Sequence, residues 1–150
     1  MKDSIWHHSS LAVRDIDAST RFFETVFGFT EIFTARNMTD EIASITGDRA
    51  TGADLRQLRF PDSDHVLELI AFSYPAAGEK EGSDRPARLA HGHICMVVAD
   101  LNAALEACRV AGAEPLGAIT AFEEGPSVYL QEPGGSIIEL EQLAGDGHDA

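Results

Sequence analysis

The chain has 150 residues, 44% of them hydrophobic and 7% aromatic, with a formal charge of −14. That length suits one domain able to bury about two-thirds of its unfolded surface. The acidic balance argues against nucleic acid, because phosphate binding depends on clustered Lys and Arg, and the lack of any long apolar run argues against a membrane span.

The stretch Met1 to His8 has no apolar core, so no secretory leader is read there. Cys95 and Cys108 fall on different predicted elements and make no disulfide framework. A reduced, cytoplasmic setting is expected.

In chain order, Ile5 to Val13 alternates apolar positions and predicts a strand ending at Arg14-Asp15. Asp15 or Asp17 can cap the helix that follows by accepting from first-turn N–H groups that lack a helical partner. That helix is expected to run to about Phe27, with Phe22, Phe23, Val26 and Phe27 on its apolar face and Gly28 at its end. Phe29 to Ala35 predicts a strand, and Asn37 to Gly52 reads as a loop or flap over a pocket. Strands follow over about Asp54 to Phe60 and His65 to Phe72, joined by the turn Pro61-Asp-Ser-Asp64. Ser73 to Leu89 is rich in Pro, Gly, Glu and Arg without periodicity and reads as a linker. The second half repeats the order. A strand starts at His91, a helix spans about Leu101 to Ala111, and strands lie near Glu114 to Ile119, Ser127 to Gln131 and Ser136 to Leu143. The expected organisation is one domain with module 1 at about 5–72, a linker at 73–90, module 2 at about 91–143 and a frayed tail at 144–150.

The two halves share more than element order. His8 to Asp15 and His93 to Asp100 each run from a histidine through apolar residues to an aspartate. Each helical stretch then ends in Val-Xaa-Gly, at Val26-Phe27-Gly28 and Val110-Ala111-Gly112. Each half closes with a glutamate inside an aliphatic strand, Leu67-Glu68-Leu69-Ile70 and Ile138-Glu139-Leu140. Such internal repetition governs the architecture. Each strand–helix–three-strand module has one apolar sheet face that it cannot cover alone. The fold class expected is therefore α+β, with two tandem βαβββ modules forming a curved mixed sheet around a cleft.

One His and one Glu per copy is a plan for a two-His, two-Glu metal site. A lone strand histidine is more often structural, but the repeat adds a constraint: it selects His8 over His7 and His93 over His91, because only these keep the step to aspartate. Glu68 is flanked by Val66, Leu67, Leu69 and Ile70, where an unpaired carboxylate is very costly. A salt bridge to Arg56 or Arg59 would also satisfy it. Glu139 shares its face with Glu141, and an exposed edge would explain both. Taken together, His8, Glu68, His93 and Glu139 match imidazole and carboxylate chemistry for a divalent Fe, Mn, Co, Ni or Zn ion.

These residues resemble the vicinal oxygen chelate superfamily of glyoxalases, methylmalonyl-CoA epimerases, extradiol dioxygenases and antibiotic-resistance proteins. The matching pieces are His8 to Asp15, Phe22 to Phe29, Val66 to Leu69, Gly92 to Asp100, and Tyr129 to Leu140 with its Pro133-Gly-Gly135 turn. The resemblance implies a metal-containing cleft between the modules with His8, Glu68, His93 and Glu139 as ligands. Its four-ligand pattern is similar to the lyase and epimerase branches, whereas extradiol dioxygenases use two His and one Glu. It implies a metal-dependent lyase or isomerase acting on a small α-oxygenated carbonyl compound through an enediolate. Glu139 is then the ligand that doubles as general base.

The pattern departs from the lactoylglutathione lyases at Gly125-Pro-Ser127-Val128, where those enzymes place a basic residue, and at Glu132-Pro-Gly-Gly135. Arg56 or Arg59 is a candidate for holding an anionic substrate group, although either could equally pair with an acidic neighbour. Cys95 is predicted to face the cleft as a substrate contact or, more blandly, as a small filler. An Fe(II) dioxygenase and a non-catalytic antibiotic-binding protein are the competing functions. The partners expected are a small molecule and a second copy of the chain, with no nucleic acid and no membrane.

Overall fold

The computed structural model describes residues 7–47, 52–73, 92–123 and 125–143. The chain divides into two compact units, Met1–Ser83 and Asp84–Ala150. Each is a strand–helix–strands module with a mixed sheet, the first with four strands and a second short helix and the second with five strands, so the α+β class and the repeated order expected above are both present. The expected linker at 73–90 lies outside the described residues except for Ser73. The expected tail at 144–150 and His91 also lie outside them. Among the described residues, no helix is long and apolar enough to cross a membrane.

In the first unit, β1 (Ser9–Ala12) leads into α1 (Ile16–Phe27). Asp15 caps the helix: its backbone is extended and its Oδ1 accepts from the Ala18 N–H at 2.9 Å. Gly28 closes it at φ 71°, a left-handed conformation that a side chain would strain. The sheet adds β2 (Thr30–Met38), β3 (Gly52–Arg59) and β4 (Val66–Ser73) in the order β1-β4-β3-β2. β1 and β4 are parallel and the other pairs antiparallel. Side chains alternate across β4, so Leu67 and Leu69 point one way and Glu68 and Ile70 the other. Leu67, Leu69, Leu58 and Leu11 are buried with Ile16, Phe22 and Phe23 of α1. Edge-to-face rings continue that core from Phe22 through Phe23 and Phe29 to Phe60.

The reading of Asn37 to Gly52 as a loop needs correction. β2 continues through Met38, and Asp40–Thr46 forms a short helix, α2. Ile42 is buried against Ala53 and Ile70, with Met38, Leu55 and Phe72 around it, whereas Ile45 is 82% exposed. The short apolar piece is thus one turn of an amphipathic helix, too brief for its period to be read from sequence. Since Ala53 and Ile70 share the face of Glu68, α2 covers the apolar end of that face.

In the second unit, β5 (Ile94–Val97) precedes α3 (Leu101–Val110), capped by Asp100 through the Ala103 N–H at 3.0 Å. The strands β6 (Glu114–Pro115), β7 (Thr120–Ala121), β8 (Pro126–Gln131) and β9 (Ile137–Glu141) follow. The order is β5-β9-β8-β6, with β7 also paired to β8. Of the strand expected near Glu114 to Ile119, only Glu114–Pro115 is in the sheet, and a second short strand, β7, lies just beyond that range. Pro115 cannot donate to a ladder, and Gly117 comes two residues later. Leu130, Ile138 and Leu140 are fully buried on the face that meets Leu101, Leu105 and Cys108 of α3.

Candidate metal centre

Register places equivalent residues at equivalent points in the two sheets. In the first unit Glu68 stands beside Ser10 on the parallel strand and Gln57 on the antiparallel one. In the second unit Glu139 stands between Cys95 and Tyr129 in the same way. The histidines lie two residues ahead of Ser10 and Cys95, just before each first strand.

Each unit therefore holds one His–Glu pair. His8 Nε2 lies 3.6 Å from Glu68 Oε2, and His93 Nε2 lies 3.2 Å from Glu139 Oε2. The other carboxylate oxygen is held by a serine in both cases: Ser10 Oγ donates to Glu68 Oε1 at 3.0 Å and Ser127 Oγ to Glu139 Oε1 at 2.6 Å. Gln57 Nε2 adds a bond to Glu68 Oε2 at 3.3 Å. His8 Nδ1 lies 2.8 Å from His7 Nδ1. Glu68 is 9% exposed, so its charge is drawn out of water toward its imidazole, and the salt bridge to Arg56 or Arg59 is not the partner the structure gives it.

This donor set suits a divalent ion. Two donors each about 2.1 Å from one ion stand roughly 3.0–3.4 Å apart, and the observed pairs are at 3.2 and 3.6 Å. Imidazole nitrogen and carboxylate oxygen are the ligand types of Mn, Fe, Co, Ni and Zn. The serines and Gln57 are the kind of outer hydrogen bonds that orient such ligands. Among the described residues no group of three or more His, Cys, Asp or Glu gathers at one place, and each unit by itself holds one His–Glu pair.

Tyr129 is a residue that the sequence reading left without a role. Its ring meets the His93 ring edge-to-face with centroids 4.9 Å apart, and its hydroxyl is 3.5 Å from His93 Nε2. Burial, then the Glu139 charge beside it and its hydrogen bond to that carboxylate, push the phenol above its ordinary range. It stays protonated and can donate. Its signal in the sequence was its cross-strand position opposite Glu139, which needs the register to be known.

The two predicted substrate contacts fare differently. Cys95 is exposed on the same face as Glu139, with its thiol 3.7 Å from Glu141 Oε2. Burial first, and then Glu139 and Glu141, raise the thiol to about 11, which favours its protonated form near neutral pH. Arg56 is turned away. It alternates with Gln57 along β3 and projects to the α1 side, where it binds Asp17 and lies 3.4 Å from Glu31. Of the two alternatives for Arg56, the structure shows the acidic pairing: its guanidinium is engaged by acidic side chains on the face opposite Glu68.

Arg36 joins that network, 2.8 Å from Asp17 and 3.0 Å from Asp54. The Arg36 hydrogen bond, with attraction from Arg56, Arg36 and Arg21, outweighs desolvation and lowers Asp17 below its ordinary 3.8. A carboxylate depressed in the folded state contributes stability above its unfolded pKa and loses it as pH falls through the folded one. Asp17→Asn is thus expected to destabilise at pH 7 and to differ little from the parent near pH 2, in urea unfolding at the two pH values.

Comparison with known proteins adds the family. Residues 5–140 match the model of the Glyoxalase/Bleomycin resistance protein/Dioxygenase superfamily. A glyoxalase family protein from Bacillus cereus is similar in structure with TM-score 0.75 and 21% identity, over 97% of this chain and 99% of that one. A glyoxylase/bleomycin resistance protein/dioxygenase domain from Frankia sp. EAN1pec gives TM-score 0.65 and 18% identity, over 94% and 98%. A mutant of the fosfomycin resistance protein FosX from Listeria monocytogenes, complexed with Mn(II) and a dihydroxypropylphosphonic acid, gives TM-score 0.57 and 16% identity, over 95% and 94%. Proteins of curated function give no match. With the match running through both modules, the chain belongs to the Glyoxalase/Bleomycin resistance protein/Dioxygenase superfamily.

Proposed function

We propose that the chain is a metal-dependent lyase or isomerase for a small α-oxygenated carbonyl compound, with His8, Glu68, His93 and Glu139 as ligands of a divalent transition ion and an enediolate on the reaction path. The observation that carries this reading is the repeated pair: in each module a histidine Nε2 faces a glutamate Oε2 whose other oxygen is tied to a serine. A bound ion would supply Lewis-acid polarisation of the substrate carbonyl. The remaining work falls to the chain. Glu139 takes the proton from the carbon beside the carbonyl and returns it to substrate, as a general base and then acid. Tyr129, protonated and adjacent, offers an O–H to a substrate oxygen. The protein is expected to act as a cytoplasmic homodimer.

Solvent deuterium reads this reaction class directly. Small 2-hydroxy aldehydes and ketones incubated in D2O with the protein and added Mn(II) or Ni(II) are expected to gain deuterium at the carbon next to the carbonyl, seen by proton NMR. Oxygen consumption with Fe(II) and no such exchange would contradict the reading and favour a dioxygenase.

A further inference from the structure

The two modules anchor their glutamates from different strands. In the first, the donor is Ser10 on β1, directly beside Glu68 in the parallel ladder. In the second, the residue at that register point is Cys95, a weak donor whose thiol is directed at Glu141 instead. The anchor there is Ser127 on β8, opposite Glu141 and diagonal to Glu139, 5% exposed. The first module has Leu55 at the matching place, opposite Ile70, and Leu55 cannot donate. The pairs Ser10 with Leu55 and Cys95 with Ser127 thus exchange donor and non-donor between two positions, and the outcome at the carboxylate is the same. Oε1 is held by a hydroxyl and Oε2 is left toward the imidazole.

We propose that Ser127 is a positioning residue for Glu139, replacing from β8 the anchor that a cysteine at position 95 cannot supply. The hydroxyl acts through the carboxylate: it fixes the rotamer in which Oε2 faces His93 and, on the reading above, the ion. Outer hydrogen bonds of this kind typically contribute 10–100-fold in metal affinity.

The test uses the full-length protein and has two readouts. The first is Mn(II) affinity by calorimetry. Ser127→Ala is expected to weaken it 10–100-fold, Ser127→Thr to retain it, and the double variant Cys95→Ser with Ser127→Ala to recover most of the loss. The second needs no metal: imidazole nitrogen shifts at fixed pH. Ser127→Ala should move the His93 signals and leave those of His8 in place, with Cys95→Ser restoring them. Ser10→Ala should do the reverse. If the parent binds no Mn(II) while the His93 signals still move and recover, the positioning role stands and the metal reading falls. If Ser127→Ala leaves both the Mn(II) affinity and the His93 signals unchanged, the positioning role is overturned. A Ser127→Ala variant that fails to fold is decided by Ser127→Thr and the double variant, whose His93 signals must then match the parent.

Discussion

Glu139→Gln is expected to lower turnover by about 10²–10⁴-fold, the usual contribution of a positioned general base. The amide keeps the size of the side chain and can still accept from Ser127, whose hydroxyl is 2.6 Å from Oε1. It cannot take a proton, and its carbonyl is a poorer metal ligand. Glu68→Gln also weakens a ligand but removes no base. It is therefore expected to lower metal affinity and to lose less turnover once metal is saturating. Comparing kcat for the two variants at saturating Mn(II) separates the roles. Full activity in Glu139→Gln would end its assignment as the base, and equal losses in the two would reduce both glutamates to ligands.

The largest effect on stability is expected away from the metal ligands, at Glu132. This carboxylate is 2% exposed at the start of the turn between β8 and β9. Its Oε2 accepts from the Gly134 N–H at 2.6 Å, and its Oε1 from the Ser136 N–H and Oγ, both at 2.8 Å. One side chain thus satisfies three donors of a Gly-rich turn and sets the register that brings Tyr129 opposite Glu139. Glu132→Ala leaves those donors without their acceptor in a buried place, where each orphaned group costs about 1–3 kcal/mol before relaxation. A loss of about 2–4 kcal/mol is expected, which at roughly 2–4 °C per kcal/mol for a chain of this size is a fall in Tm of about 4–16 °C. Calorimetry of the purified variant measures it. A Tm within a degree or two of the parent would show that water replaces the carboxylate in the turn.

Glu132 also shows what the sequence could and could not say. The run Glu132-Pro-Gly-Gly135 was noted as a departure from the related lyases, but its physical role, a carboxylate folded back onto its own turn, depends on backbone direction that no pattern reports. The pairing of each histidine with its glutamate is different. Two copies of one motif gave a parity argument, and parity survives errors in strand ends: β1 begins at Ser9 and β5 at Ile94, later than expected, yet His8 and His93 still face their glutamates. Helix boundaries were also readable, because Asp15, Gly28 and Asp100 act through local chemistry. The face that Arg56 takes depends on the β3 register, which the sequence pattern does not report. Ser127 and Tyr129 went unseen for the same reason. Their importance lies in what stands across the strand.

Metal titration of the parent protein against His8→Ala and His93→Ala tests the central claim most directly, because the claim is that each module contributes one half of a single ligand set. Calorimetric addition of Mn(II) to chelator-treated protein is predicted to show tight binding in the parent and a loss of at least about 100-fold in either variant alone, with folding retained by circular dichroism. Parent-like affinity in both variants, or no Mn(II), Ni(II), Co(II), Zn(II) or Fe(II) binding by the parent, would contradict it.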